Sequence, residues 1–200
     1  MAPAAGQYLL GCSLEAEEVL PVVLYLAWKE GGGSLLTGSI PGNWIPGGKV
    51  WLRGPAGKGF HLPTQARRVA LASLTGGFSR LAPLAQAAIR QGAAVSLFSP
   101  SMPAVLPAEV EVLPLQALNE AWSWADYAAL EAGVEQIEHL GALLGSGHFP
   151  RLPFQAEILI ITRFACAGVA DCGVCAVEAG GRYHLACKDG PVFPLNLLDW

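Results

Sequence analysis

The chain has 200 residues, of which 52% are hydrophobic and 14% charged, and its net charge is −4. It is long enough to bury a core as one large domain or two small ones, with few charges to spread over a surface. The low charge and the lack of a basic cluster exclude nucleic-acid binding through phosphate neutralisation. The apolar excess fits either a surface partly covered by a partner or a closely packed, alanine-rich monomer.

Residues 1–62 are punctuated by glycine and proline in "EGGGS", "IPGNWIPGG" and "RGPAGKGF". The apolar runs between them, "QYLL", "VVLYLAW" and "KVWLRG", read as short strands joined by tight turns, a small β-barrel or sheet. "GCSLEAEEVL" reads as a helical turn, with Glu15, Glu17 and Glu18 on a solvated face. The best apolar run, Val19 to Trp28, is about half the length a bilayer requires and contains Pro21. "LLGC" (Leu9 to Cys12) looks like a lipoprotein cleavage box, but no Lys or Arg precedes it and no apolar stretch of signal length fits before it. Cys12 is therefore expected to be an ordinary buried thiol and the chain to be cytoplasmic.

The middle of the chain alternates strands and helices. "ARRVALASL" reads as a strand broken by "TGG", and "SRLAPLAQAAIRQG" as a helix with a terminal glycine. "AAVSLFSP" and "EVEVLPL" are further strands. "LNEAWSWADYAAL" begins helically and ends as a strand at "ADYAAL". "AGVEQIEHLGALLGSG" reads as a helix, and "FQAEILIITRF" as the last strong strand. This alternation implies a doubly wound parallel sheet. Trp122 and Trp124 are expected as core or interface anchors. No Ser/His/Asp arrangement stands out, and "GPAGKGF" lacks the spacing and final hydroxyl of a Walker loop.

Four of the five cysteines fall in one glycine-rich stretch, spaced Cys166-x5-Cys172-x2-Cys175-x11-Cys187. In a cytoplasmic chain such clustering points to metal rather than disulfides. Zinc ribbons present two Cys-x2-Cys knuckles, and this stretch has one. Plant-type [2Fe–2S] ferredoxins use C-x4-C-x2-C…C, one residue shorter in the first gap. Small residues around the thiols (Ala165, Ala167, Gly168, Ala170, Gly173, Ala176) let backbone N–H groups approach sulfur. His61, His139 and His148 are scattered. His184 lies three residues before Cys187 and is expected at the surface or outside the ligand set. Spacing alone leaves iron–sulfur and zinc both open.

"FACAGVADCGVC…ACKDGPVF" resembles the C-terminal [2Fe–2S] module of the electron-transfer subunit of B-type dihydroorotate dehydrogenases, which belong to the ferredoxin-NAD(P) reductase-like superfamily. Cys187-Lys188-Asp189-Gly190-Pro191-Val192-Phe193 matches the closing motif of that module throughout. "GGKVWLRGPAGKGFHLP" is similar to the family's join between flavin barrel and nucleotide domain, with Gly54, Pro55, Gly57, Gly59 and Phe60 in the pattern. "ARRVALASLTGGFSRLAPL" looks like the first strand, turn and helix of the nucleotide domain. The resemblance implies an α/β chain in three units: a shortened ferredoxin-reductase-like β-barrel over 1–62, a Rossmann-like nucleotide-binding α/β domain over 63–155, and a [2Fe–2S] module over 156–200. It further implies that Cys166, Cys172, Cys175 and Cys187 ligate the cluster, with Lys188 and Asp189 shaping the closing loop.

The resemblance also implies FAD and a pyridine nucleotide, with Gly76, Gly77 and Arg80 as candidate cofactor-binding residues. The chain departs from the family at both places. "LPVVLY" (Leu20 to Tyr25) has no cation where an arginine meets the flavin pyrophosphate. Phe78 and Arg80 stand where glycines admit a nucleotide's pyrophosphate. Glu131, Ala132 and Gly133 replace a Cys-Gly-Pro beside the nicotinamide. Three functions stay in play. The first is a cluster-bearing electron-transfer subunit, an oxidoreductase component rather than a self-sufficient enzyme. It would relay electrons between a flavin/NAD centre and a flavin-containing dihydroorotate dehydrogenase catalytic subunit in pyrimidine biosynthesis. The second is a cluster-only relay or assembly subunit without FAD or NAD, and the third a zinc-stabilised interaction module.

Overall fold

The computed structural model describes residues 2–15, 19–30, 33–137, 140–141 and 152–198. Glu17, Glu18, His139, His148 and half of the helix expected over 132–147 lie outside these residues. The N-terminal strands β1 (Tyr8–Ser13), β2 (Val22–Glu30), β3 (Gly33–Thr37) and β4 (Val50–Ala56) form an antiparallel sheet in the order β3-β2-β1-β4. Tyr8, Leu9 and Leu10 of β1 and Leu24 to Ala27 of β2 are buried, whereas β4 exposes Trp51 and Leu52. Its two central strands are thus packed on neighbouring elements, whereas most of the outer strand β4 is exposed.

Two N-terminal expectations change. Gly11, Cys12 and Ser13 are not the start of a helical turn. They continue β1 because Gly11 pairs with Val22 on one side and Leu52 on the other. A Cβ at Gly11 would meet Leu24 Cδ1 at 2.8 Å, so the missing side chain is what lets the strands close over this point. "GGGS", read as a break, runs into β3: Gly33 and Ser34 are weak strand formers, and pairing with Lys29 and Glu30 holds them there. Cys12 is only partly buried.

The second sheet contains β5 (Arg68–Ser73), β6 (Ala94–Ser99), β7 (Val110–Pro114), β8 (Tyr127–Gly133) and β9 (Gln155–Ile161). A hairpin of β10 (Ala176–Ala179) and β11 (Arg182–Leu185) follows, turning on Gly180 and Gly181, both with positive φ. The last strand, β12 (Val192–Pro194), returns to the large sheet and pairs antiparallel with β9. The order is β12-β9-β8-β5-β6-β7, parallel apart from β12. Every residue of β8 is buried, as expected of a central strand covered on both faces. Helix α1 (Ala82–Arg90) covers one face through Ala82, Leu84, Ala85 and Ala88. It starts three residues after the expected Ser79, with Pro83 in its first turn. The short helix α2 (Leu118–Ala121) precedes β8. No helix among the described residues is long and apolar enough to cross a membrane.

The connection from β4 to β5 interlocks with the C-terminal motif. Gly57, with φ +74°, lies so close to it that a Cβ would meet Pro191 Cδ at 2.5 Å and Gly190 O at 2.8 Å. Lys58 donates its N–H to Gly190 O at 2.6 Å. Further on, Glu157 of β9 accepts from the His61 N–H at 2.8 Å and from the Tyr127 hydroxyl at 2.6 Å. "GPAGKGF" and "DGPVF", distant in sequence, are therefore two halves of one packed junction.

Candidate metal centre

The thiol loop leaves the carboxyl end of β9. Phe164 O accepts from the Ala167 N–H at 2.9 Å, and φ is positive at Ala167, Gly168, Ala170 and Gly173. These left-handed residues curl the chain so that its amides turn inward. The N–H groups of Asp171 and Cys172 act on the Cys166 sulfur and that of Ala170 on the Cys187 sulfur, while the Val169 N–H donates to Cys166 O at 3.3 Å. Ala186 N–H donates to Cys175 O at 2.9 Å, which sets Cys187 beside Cys175 after the hairpin.

The four thiols meet as two pairs. Cys166 and Cys172 are in hydrogen-bonding contact, as are Cys175 and Cys187, and Cys187 lies within the field of Cys166. Cys175 and Cys187 are buried, Cys166 is half-buried and Cys172 is exposed. Amide donation from Asp171 and Cys172 holds the Cys166 thiol down to about 6. Burial, reinforced by Cys175 and Cys166, pushes Cys187 up to about 12. Among the described residues no three Cys, His, Asp or Glu side chains converge on one ion. A donor set of four soft thiols in two pairs, with inward amides, suits an iron–sulfur cluster, whose sulfurs take up N–H donors.

The closing loop is shaped as expected for Asp189. Its Oδ2 accepts from the Leu185 N–H at 2.9 Å, while Leu185 O accepts from Lys188 N–H at 2.9 Å and Asp189 N–H at 2.7 Å. Lys188 takes part through its backbone. His184 Nδ1 lies 3.9 Å from Asp189 Oδ2.

Two further residues hold the loop, and sequence reading passed over both. The Tyr8 hydroxyl donates to Cys187 O at 2.7 Å, with its ring 4.7 Å from that of Phe164. Desolvation pushes the Tyr8 hydroxyl up to about 12, so it stays a donor. Arg53 donates from Nη2 to Ala167 O. In a chain this poor in charge, the first arginine was the available signal for the second contact; "GQYLL" carries none for the first.

The other candidate residues gather at the carboxyl ends of β5 and β8. Gly76 and Gly77 lie in the turn after β5. Arg80 is paired within the chain: its Nη1 is 3.6 Å from Glu131 Oε2. Glu131 is fully buried, and its Oε1 accepts from the Ser73 and Thr75 hydroxyls, each at 2.7 Å. Arg80 also borders a cleft of about 490 Å³ formed by Leu20 to Val23, Tyr25 and the Ile161–Ala165 stretch that enters the thiol loop. "LPVVLY", noted for its missing cation, lines that cleft.

Residues 162–199 match the family model described as the iron-sulfur cluster binding domain of dihydroorotate dehydrogenase B. The whole chain is similar to the structure of an NADH-dependent reduced ferredoxin-NADP oxidoreductase described for flavin-based electron bifurcation. There the identity is 16% and the TM-score 0.70, covering 98% of this chain and 80% of that one. It is also similar to a ferredoxin reductase in carbazole 1,9a-dioxygenase, at 20% identity and TM-score 0.55, covering 75% of this chain and 59% of that one. The FAD apo form of that reductase gives 17% identity and TM-score 0.51, with 80% and 58% covered. The chain thus has the ferredoxin-reductase fold, and its C-terminal segment matches the dihydroorotate dehydrogenase B iron–sulfur domain.

Proposed function

We propose that the chain carries a [2Fe–2S] cluster on Cys166, Cys172, Cys175 and Cys187. It relays single electrons between a flavin centre and a dihydroorotate dehydrogenase catalytic subunit, in the cytoplasm and in pyrimidine biosynthesis. The observation that supports this is the arrangement of the thiols as two contacting pairs, since a two-iron cluster needs two thiolates for each iron. When bound, such a cluster supplies one-electron transfer. The chain's own residues do the holding: inward amides stabilise thiolate charge at Cys166, Tyr8 fixes the backbone of Cys187, and Arg53 fixes that of Ala167. Cys172, exposed at the edge of the loop with Val169 and Val174, marks the side open to a partner.

Anaerobic purification with iron and sulfide analysis tests the reading. About two irons and two sulfides per chain are expected, lost in Cys187→Ser. A colourless protein with stoichiometric zinc would sink it. The cleft beside the thiol loop favours a second reading in which FAD is also held. Its two lining cations are Arg80, already paired with Glu131, and Arg163. Flavin absorbance in the purified protein separates this form from a cluster-only relay.

A further inference from the structure

In doubly wound sheets, ligands bind at the carboxyl ends of strands where the strand order reverses. Here the chain runs from β5 outward through β6 to β7, then returns to β8 and β9, so the reversal lies between β5 and β8. That crevice is where the fold offers a dinucleotide site. We propose that it is filled by the chain's own Glu131, held by Ser73, Thr75 and Arg80, and that the chain binds no pyridine dinucleotide.

Three observations carry this. The first is charge. Glu131 places an internal carboxylate at the end of β8, against the one arginine of the β5–α1 turn. Glu131 Oε2 and Arg80 Nε are both buried without a hydrogen-bond partner, and the 3.6 Å ion pair with Arg80 Nη1 is the contact this carboxylate oxygen makes. An incoming phosphate would meet a like charge in a low-dielectric site, and the cation that could offset it is already engaged.

The second is the supply of backbone donors. A helix N-terminus binds phosphate through its free N–H groups. In α1 the Ala82 N–H donates to Phe78 O at 2.9 Å and the Ala85 N–H to Leu81 O at 2.9 Å, and Pro83 has none. Phe78, buried at 5% exposure, anchors this closed turn in the core.

The third is the mouth of the crevice. Gln136 donates from Nε2 to Leu74 O at 3.0 Å, and the Leu74 N–H donates to Glu131 O at 3.0 Å. From the other side Ser101 Oγ donates to Gly76 O at 3.3 Å. A Cβ at Gly76 would come within 3.1 Å of that Oγ, so the loop after β6 lies directly on the glycine turn. The ends of β5 and β8 are stitched together where a pyrophosphate would have to enter.

The inference stands apart from the cluster reading, which iron analysis tests separately. Titration of the full-length wild-type chain with NADH and with NADPH, followed by calorimetry, is expected to show no saturable binding up to about 1 mM. Saturable binding below that concentration overturns the proposal. Glu131→Ala should leave a carboxylate-sized hole facing Arg80 and the two hydroxyls. Formate is then expected to raise the melting temperature of the variant and not that of the wild type. A variant that folds and shows no such formate effect overturns the assignment of Glu131 as the occupant. Should it not fold, the wild-type titrations still decide.

Discussion

Ala167 and Ala170 stand in the thiol loop at φ 53° and 64°, a region that disfavours a Cβ. The chain keeps the curl of the loop at these two positions while carrying methyl groups against it. Each left-handed alanine costs about 1 kcal/mol in local strain. Ala167→Gly and Ala170→Gly are expected to stabilise the protein by about 0.5–1 kcal/mol each, read from denaturant midpoints at unchanged m-value. Unchanged or lowered midpoints would mean that the methyls pack well enough to offset the strain. At this scale the thiols themselves were legible, because ligand chemistry restricts residue type and "CKDGPVF" is specific. Tyr8 and Arg53 were not, since a strand tyrosine or an exposed arginine has many uses and only the folded contact selects one.

Among the elements, the strands of the large sheet were legible from their continuous apolar runs, and α1 from its spacing and terminal glycine. β3 escaped notice because pairing with β2, not the propensity of Gly33 and Ser34, makes it a strand. The boundary that the resemblance implies between residues 155 and 156 falls inside β9, and β12 was not read as a strand. Three residues of "VFP" cannot announce a strand that exists only by pairing with Leu159, Ile158 and Glu157. One polar contact ties the entry of β5 to that of β8. Asp126 Oδ2 accepts the N–H groups of Arg67 and Arg68, each at 3.1 Å, and Oδ1 accepts Arg68 Nη2 at 2.7 Å. The Arg68 hydrogen bond, then the Arg67 amide, hold the Asp126 carboxyl below its ordinary value. Its folded pKa is depressed, so its contribution is present above the unfolded carboxyl range and is lost as pH falls through the folded value. The melting-temperature difference between wild type and Asp126→Asn is therefore expected to be constant near neutrality and to shrink on acidification below about pH 4. A difference that persists at low pH would show that charge is not what the contact contributes.

For the whole molecule, the C-terminal thiol segment is packed into the rest of the chain. Its β12 belongs to the large sheet, Pro191 sits on Gly57, and Tyr8 and Arg53 reach it from the N-terminal sheet. Val192, Phe193, Leu195, Cys175 and Cys187 share one buried core with Tyr8, Leu10 and Ile158. A fragment of residues 162–200 is expected to lack a cooperative unfolding transition, measured by circular dichroism, whereas the full chain has one. A folded fragment would show that the shared core is dispensable. The composition had left a partner-covered surface and a packed monomer both open, and part of the answer lies inside the chain: its units cover one another.

The antiparallel pairing of β9 with β12 has one more consequence. It makes the entire thiol segment an overgrown hairpin loop whose ends are neighbours, pinned by Ile160 N–H on Pro191 O and the Leu159–Val192 pair. Joining the ends of an excursion of about 30 residues costs about 3 kcal/mol in chain entropy. The sheet meets that cost before any metal arrives, so the folded chain presents its first and fourth thiols to an incoming cluster as a tethered claw rather than a search problem.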